Sequence, residues 1–319
     1  MNAVTRKEAL NTIIYRKKKI LHLQKMKKHW QLYLVILLPL IYIIVFKYFP
    51  MYGAQIAFKD YMASKGIGGS PWAGLKHFEY FFKSPNFWRL IKNTLGISAY
   101  SLIAGFPLPI ILALSLNEVA SGRLKKTVQL VTYAPYFIST VVMVSILMQF
   151  FSPQVGFYGN FMRLIGQNPQ NIMGIPGYFK SIYVWSGVWQ YTGYSSVIYI
   201  AVLSGIDPSL HEAAIVDGAS KLQRIWNIDI PGIIPTATIL LIMNMGQVMN
   251  VGFEKVFLMQ NPLNMVTSDV ISTYVYRIGL VSAQFSFSTA VGLFNSFVNL
   301  ILIVSVNHIA KRMGETSLW

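Results

Sequence analysis

The chain has 319 residues, of which 54% are hydrophobic and only 12% are charged, whereas soluble domains carry about 25% charged residues. Together with a mean hydropathy of +0.48, this composition excludes an ordinary soluble domain, a disordered chain and a collagen-like chain. The sequence contains no cysteine, which excludes a disulfide framework, a thiolate metal site and a cysteine nucleophile. We therefore predict an all-α integral membrane protein.

A basic tail opens the chain. Nine Lys+Arg lie in residues 1–28, and the whole chain has 27 Lys+Arg against 11 Asp+Glu, a net charge of +16. In a membrane protein such an excess first indicates orientation, because cytoplasmic segments are enriched in Lys and Arg. We interpret residues 1–29 as a cytoplasmic tail that contacts membrane lipid, not as a nucleic-acid-binding segment or a cleaved signal peptide.

Six stretches of 18 or more residues without a charged side chain follow the tail. A helix needs about 20 mostly apolar residues to cross a bilayer, so we predict one membrane span in each stretch. The predicted spans are roughly 31–50, 93–116, 128–151, 181–205, 234–256 and 285–308. They form one six-helix transmembrane domain over residues 30–312, which is followed by a C-terminal tail, 313–319.

Charge on the two sides of the membrane predicts the orientation. Six spans place both termini on one side, which carries 16 Lys+Arg against 11 on the other, so we predict both termini in the cytoplasm. The outer side still has a balance of +7. One hypothesis is that this charge attracts an acidic oligosaccharide; the alternative is that the cations flanking the spans simply snorkel to the membrane surface.

No charged residue lies centrally in a predicted span. Proton-coupled carriers usually keep an acidic residue or a histidine there, so the pattern disfavours an ion-coupled secondary sugar carrier, although sodium sites made of neutral groups leave that alternative open. A membrane-embedded enzyme acting on lipid-linked sugar is a second alternative. Its only candidate acid–base groups are Asp60, His77 and Glu79, outside the membrane.

The segment 207–235, between the fourth and fifth predicted spans, contains a helix, a glycine break and a second helix. Asp207 is suited to cap a helix whose first residue is Pro208. Gly218 is suited to a left-handed turn that ends this helix. Such a unit, held between two spans on the cytoplasmic side, would transmit the push of a partner protein into both.

The order and spacing of Glu212-Ala213-Ala214, Gly218 and Ile228-Asp229-Ile230-Pro231 resemble the EAA loop of binding-protein-dependent ABC importer permeases. Asp217-Gly218-Ala219 adds the form usual in carbohydrate-uptake, maltose-type permeases, and Ile230 stands where that family usually has Leu. The resemblance implies that the segment sits in a groove of an ATPase subunit. The coupling residues would be Glu212, Ala213, Ala214, Asp217, Gly218, Ile230 and Pro231.

Other segments also resemble this family, and the later ones resemble its polysaccharide-type, LplB-like branch. They are residues 72–78, Asn93-Thr94, 250–257, 268–277 and 290–296. The resemblance implies an ABC type I importer transmembrane domain in the bacterial plasma membrane. Its expected partners are a second permease, usually forming a heterodimer, two ATP-binding cassette subunits and an extracytoplasmic solute-binding protein.

The chain lacks a phosphate-binding G-x-x-x-x-G-K-[ST] motif and any tight metal-ligand spacing. We therefore expect no catalytic residue, metal or cofactor in this chain; ATP and Mg would be bound by the partner ATPase. The expected function is import of an oligosaccharide, with an ABC permease for another solute class as the alternative.

Polar and aromatic residues inside the spans are candidates for the substrate path. Asn244, Gln247 and Asn250 recur at steps of three, which predicts one helical face. Further candidates are Asn295 and Asn299 in the sixth span and Trp189 and Tyr194 in the fourth. Their alternative roles are interhelical hydrogen bonding for the amides and interfacial anchoring for the aromatic rings. The outer connection 254–284 is either a segment that enters the pore or a plain surface loop.

Overall fold

The computed structural model describes residues 28–312. Within that range the chain is helical without a β-strand, and Lys59 and Trp72 form an isolated β-bridge. The described residues belong to two compact units that divide between Gln55 and Ile56. The predicted tails, 1–29 and 313–319, lie outside the described residues except for Lys28 and His29.

A long apolar helix makes up most of the described part of the first unit and extends past its boundary. Helix α1, Trp30–Ile43, continues through a π-helical turn, Ile44–Tyr48, and a 3₁₀ turn, Tyr52–Phe58, to give 29 helical residues with a mean hydropathy of 2.3. None of the residues of α1 is buried. Apolar side chains on every face of a helix are stable in lipid and not in water.

The second unit contains the other helices. They are α2 Lys76–Lys83, α3 Phe87–Gly105, α4 Pro107–Asn117, α5 Gly122–Tyr133, α6 Thr140–Phe150, α7 Phe157–Leu164, α8 Pro176–Leu203, α9 Pro208–Val216, α10 Lys221–Arg224, α11 Ile230–Met245, α12 Phe253–Met259, α13 Met265–Ser268, α14 Ile271–Tyr276 and α15 Phe285–Arg312. Short helical turns lie at Phe49–Met51, Gly66–Gly69, Ala134–Phe137, Ile172–Gly174, Ile225–Asp229 and Arg277–Val281.

Four continuous helices among residues 28–312 are long and apolar enough to cross a membrane. They are Trp30–Phe58, Phe87–Asn117, Lys221–Met245 and Phe285–Arg312. A fifth candidate span exists if the bent pair Gly122–Phe137 and Thr140–Phe150 is one crossing. The 28-residue α8 has the length of a span, and its sequence mixes apolar residues with Trp, Tyr, Ser and Gly.

The third predicted span, 128–151, is wrong as a single straight helix. The chain bends by 100° between Phe137 and Thr140. Pro135 lies in the 3₁₀ turn at the end of α5, and proline cannot supply the backbone N–H that a continuing helix needs. Ser139 then caps α6, since its Oγ accepts the backbone N–H of Val142 at 3.3 Å.

The fifth predicted span, 234–256, is also wrong in its bounds. The helix runs without a break from Lys221 through a π-helical turn and ends at Met245. The next residues form turns, in which the backbone N–H of Met249 donates to Asn299 Oδ1 at 3.0 Å. The predicted helical face with Asn244, Gln247 and Asn250 is therefore wrong, because only Asn244 lies in the helix.

Helix α8 lies at the centre of the second unit, where it contacts α3, α4, α5, α11 and α13. It approaches α5 most closely at Gly193, where a β-carbon would overlap the carbonyl oxygen of Thr132. Tyr199 and Leu203 of α8 pack with Ala113 and Ile233 in a buried apolar cluster. The hydrogen at Gly193 is what permits this close packing of α8 on the backbone of α5.

The outer connection after α11 is part of the core, which excludes the plain surface loop as its interpretation. Asn264, Ser268 and Asp269 have 0% exposure. The carboxylate of Asp269 accepts hydrogen bonds from Arg277 Nη2 at 2.7 Å and Thr273 Oγ1 at 3.2 Å, and Arg89 Nη2 lies 3.5 Å away. A buried carboxylate between two guanidinium groups satisfies the requirement that buried charges be paired.

Two polar residues of α3 bind the backbone of the same connection. Asn93 Nδ2 donates to the carbonyl oxygens of Val266 and Asp269 at 2.9 and 3.0 Å. The backbone N–H of Ile271 donates to Thr94 Oγ1 at 3.1 Å. These bonds satisfy buried backbone groups in a segment that has only short helices, and they attach it to α3.

We predict that Gly193→Val destabilises the protein because its side chain would overlap Thr132. Overpacking costs about 1–3 kcal/mol, and the overlap with backbone places this substitution at the upper end. The matched control is Gly177→Val on the same helix, where a β-carbon has no neighbour within 4 Å. The melting temperature in detergent checks the prediction, and equal melting temperatures for the two variants would contradict it.

Replacing Asp269 by Asn should leave the guanidinium groups of Arg89 and Arg277, which are 38% and 33% exposed, without their buried anion. Breaking a fully buried ion pair costs about 3–5 kcal/mol, and because solvent reaches both cations we expect Asp269→Asn to lower the melting temperature by a smaller but measurable amount. Asp60→Asn is the control, because Asp60 also pairs with a cation, Lys76 at 2.9 Å, but its side chain is 39% exposed. A melting temperature of Asp269→Asn no lower than that of Asp60→Asn would show that the buried pair is not needed.

Candidate functional site

A cavity of about 940 Å³ lies among α3, α4, α8, the end of α11 and the segment from Gln247 to Lys255. Its volume is in the range of pockets that hold small ligands. Most of the wall is apolar, as α3 and α8 contribute Ile97, Leu102, Val184 and Ile198. A small number of polar groups therefore determines which solute the cavity can hold.

Three amide side chains form the polar side of this cavity. Asn244, Gln247 and Asn250 line it. Asn250 Nδ2 donates to Gln247 Oε1 at 2.8 Å, and Asn295 Nδ2 donates to Asn250 Oδ1 at 2.9 Å. Each amide has both donors and acceptors, so those not used within this chain can bind the hydroxyl groups of a solute.

Two tyrosine rings of α8 also belong to the cavity wall. Tyr191 and Tyr194 line the cavity and are each nearly half exposed. Tyr194 stacks on Tyr136 with a centroid distance of 3.8 Å and an interplanar angle of 8°. The stacking holds the ring in place, and its flat apolar face beside the amides suits a sugar, which has C–H faces and hydroxyl edges.

Other predicted path residues lie outside the wall of this cavity. Trp189 lines a separate apolar hollow of about 340 Å³ with Met143 and Phe150. Asn299 is 8% exposed and accepts the backbone N–H of Met249, while Asn295 reaches the cavity only through Asn250. Substrate contact by Trp189, Asn295 and Asn299 stays a prediction.

Residues that the sequence interpretation did not single out also line the cavity. Ser98 and Ser101 lie one turn apart on α3, and Glu254 and Lys255 are the charged residues of the wall. The step of three between the serines is a polar signal within an apolar helix and could have indicated α3. Glu254 and Lys255 lie where the predicted fifth span meets the connection 254–284, which was considered as a segment that enters the pore, but neither residue was named as a path residue.

The segment 207–235 has the predicted helix–glycine–helix form. Asp207 caps α9 by accepting the backbone N–H of Ser209 at 3.0 Å, and this bond lowers the pKa of the Asp207 carboxyl. Gly218 has φ of +77°, and its N–H donates to Ile215 O while that of Ala219 donates to Ala214 O. This left-handed termination is the expected one for glycine after a helix.

Two contacts attach the segment to the base of α11. His211 Nε2 of α9 lies 3.3 Å from Oδ1 of Asp229, whose side chain is 1% exposed. A β-carbon at Gly232 would lie 2.7 Å from Cδ1 of Ile206, so the glycine lets the end of the α8–α9 connection approach α11. The two contacts join helix α9 and the α8–α9 connection to the start of α11.

Apolar side chains cover much of the outer surface of this segment. Val216 is 87%, Leu222 78% and Trp226 72% exposed. These are large apolar side chains that the described part of the chain leaves exposed. Glu212 and Asp217 are also exposed there, so the surface offers carboxylates beside an apolar patch.

Residues 105–315 match the model of a family described as "Binding-protein-dependent transport system inner membrane component". The chain is 40% identical to the polygalacturonan/rhamnogalacturonan transport system permease protein YteP of Bacillus subtilis (strain 168) over 98% of this chain and 97% of that one. It is 39% identical to the protein LplB of the same organism, over 92% of each chain.

A solved structure has the same fold. The chain superposes with a TM-score of 0.85 and 40% identity on a chain of a bacterial alginate ABC transporter in complex with an alginate pentasaccharide-bound periplasmic protein, covering 92% of this chain and 99% of that one. The family match covers most of the cavity wall, the 207–235 segment and helices α8, α11 and α15. The chain belongs to the binding-protein-dependent ABC transport permeases, the inner-membrane components of these importers.

Proposed function

We propose that this chain is the permease subunit of an ATP-driven importer that moves a polysaccharide-derived oligosaccharide across the bacterial plasma membrane. The observation that carries the substrate class is the cavity, whose wall combines the amides of Asn244, Gln247 and Asn250 with the rings of Tyr191 and Tyr194. The names of two relatives, a polygalacturonan/rhamnogalacturonan permease and an alginate importer, support the same class.

Six crossings with both termini in the cytoplasm are part of this proposal. The four continuous candidate helices would be joined by the bent α5–α6 pair and by α8. Helix α8 lines the cavity on one side, which is a reason for its lower apolar content, since residues facing a water-filled path need not be apolar. The excess of Lys and Arg on the side of the termini supports the orientation.

The partners would be a second permease, two ATPase subunits that bind ATP and Mg, and an extracytoplasmic solute-binding protein. The periplasmic protein in the related alginate transporter supports the last of these. The exposed Leu222 and Trp226 of the 207–235 segment support the ATPase contact, because they leave apolar surface for a partner to cover.

We infer that the coupling residues Glu212, Ala213, Ala214, Asp217, Gly218, Ile230 and Pro231 act through α11. This helix begins beside the coupling segment at Ile230 and ends at Met245, next to the cavity residue Asn244. Its 16 residues span roughly 24 Å. A push on α9 by the ATPase would pass through the His211–Asp229 contact into α11 and move the amide side of the cavity.

Replacing Gly218 by Val should uncouple ATP hydrolysis from transport. Valine at a φ of +77° is strained, so the turn would reopen and α9 would lose its orientation toward the ATPase. We expect the complex to assemble while substrate-stimulated ATPase activity and uptake in proteoliposomes fall at least tenfold.

The matched control is Gly166→Val. Gly166 has φ of +75° and lies between α7 and α8, and a β-carbon added at either glycine would have no neighbouring atom within 4 Å. The backbone strain is thus the same at both sites. Normal stimulated ATPase activity in Gly218→Val, or an equal loss in Gly166→Val, would contradict the coupling role.

Replacing Asn244 by Leu should weaken oligosaccharide transport without disturbing coupling. Leucine has a similar size but no hydrogen-bonding groups, and each lost hydrogen bond costs about 1 kcal/mol, or about fivefold in affinity. We expect the half-saturating substrate concentration for uptake to rise about five- to tenfold. Asn168→Leu, in the loop between α7 and α8, is the control, and uptake by this chain that needs an ion gradient and no ATPase would overturn the proposal itself.

A further inference from the structure

Lys255 holds its ammonium group at the cavity wall in a nearly buried position. The residue is 7% exposed, and Nζ donates to the carbonyl oxygen of Tyr183 at 2.9 Å and lies 4.8 Å from the centroid of the Tyr183 ring. One turn further along α8, a β-carbon at Gly187 would lie 3.4 Å from Nζ. A longer side chain at 187 would press on the ammonium group, so glycine keeps its site open.

The charge of Lys255 has no counterion among residues 28–312. The ion pairs within 4.0 Å in that range use Lys76, His77, Lys83, Arg89, His211, Lys221 and Arg277 as cations. Removing an ammonium ion from water without an anion costs several kcal/mol. An ionisable side chain kept under such conditions within a membrane protein indicates a functional site.

The hydrogen bonds of Lys255 are also incomplete. An ammonium group has three donors, and the bond to Tyr183 O uses one of them. The cation–π contact with Tyr183 orients the group, but a ring supplies no negative charge. Two donors and a full positive charge therefore remain for a group that enters the cavity.

The neighbouring Glu254 does not neutralise Lys255. Adjacent residues of a helix point about 100° apart, and no Glu254–Lys255 ion pair within 4.0 Å is among those formed by residues 28–312. Glu254 is exposed, whereas Lys255 is buried. The carboxylate of Glu254 can accept hydrogen bonds from the hydroxyl groups of a sugar. The ammonium group of Lys255 is suited to bind the carboxylate of a sugar acid.

We propose that Lys255 binds a carboxylate of the transported saccharide and that the cavity is therefore selective for an anionic, uronate-containing oligosaccharide. This inference rests on the proposed oligosaccharide transport and adds to it the residue of this chain that would recognise an acidic substrate, such as the acidic polysaccharide that the related alginate transporter imports. The carboxylate forms a charge-assisted hydrogen bond with Nζ, about twice as strong as one between neutral groups. The neutral part of the sugar is held by the amides of Asn244, Gln247 and Asn250 and by the tyrosines of α8.

The test compares trigalacturonate with its fully methyl-esterified form, which has the same sugar rings without charge. Uptake is measured in proteoliposomes with the complete importer, ATP and the same solute-binding protein throughout. Any difference in uptake between permease variants is then caused by the substitution in this chain. The wild type should prefer trigalacturonate. Lys255→Met should raise its half-saturating concentration at least tenfold and leave that of the ester within twofold, whereas Lys255→Arg should keep the preference.

Lys180→Met is the matched control, because Lys180 is a lysine of α8 whose Nζ likewise lies near a glycine, 2.7 Å from a β-carbon built at Gly96, yet it does not line the cavity. Lys255→Gln, which keeps a donor toward Tyr183 O, replaces Lys255→Met if the latter does not assemble. A preference unchanged in the assembled Met or Gln variant overturns the inference and leaves oligosaccharide transport standing. A wild type that transports neither trisaccharide overturns both.

Discussion

The buried carboxylate of Asp269 is the interaction on which the rest of the second unit depends. Its ion pairs with Arg277 and Arg89 hold the outer connection against α3. The same connection contributes Val270 to an apolar cluster with Val251 and Val256, the residues on either side of Lys255 in the chain. These ion pairs outside the cavity thereby help to define where the charged wall of the cavity lies, together with the hydrogen bonds that Asn264 and Thr267 donate to the carbonyl oxygens of Met173 and Pro176.

Helix α11 joins the two regions that an importer subunit must connect. Its beginning is attached to α9 by the contact of His211 with Asp229, and its end carries Asn244 in the cavity wall. The helix ends at Met245, and in the turns that follow the backbone N–H of Met249 donates to Asn299 of α15. Gln247 and Asn250 of these turns line the cavity together with Asn244 of the helix.

The accuracy of the sequence interpretation differed between local and non-local features. The cap at Asp207 and the left-handed turn at Gly218 depend on neighbouring residues and were predicted correctly. The bend before Thr140 was missed although Pro135 is a local signal, because the surrounding residues are apolar enough for one span. The end of α11 was missed because the bond to Asn299 joins residues 50 apart in the sequence.

The sequence by itself determined the membrane location, the helical class and the form of the 207–235 segment, since charge-free length, capping residues and glycine conformations act within a few residues of the chain. Only the tertiary structure decided which polar groups share a cavity and which serve packing. Lys255 meets Tyr183 across 72 residues, and Arg89 approaches Asp269 across 180. The physical reason is that burial and charge pairing are properties of assembled helices, so residues at the end of a predicted span became the charged wall of the site.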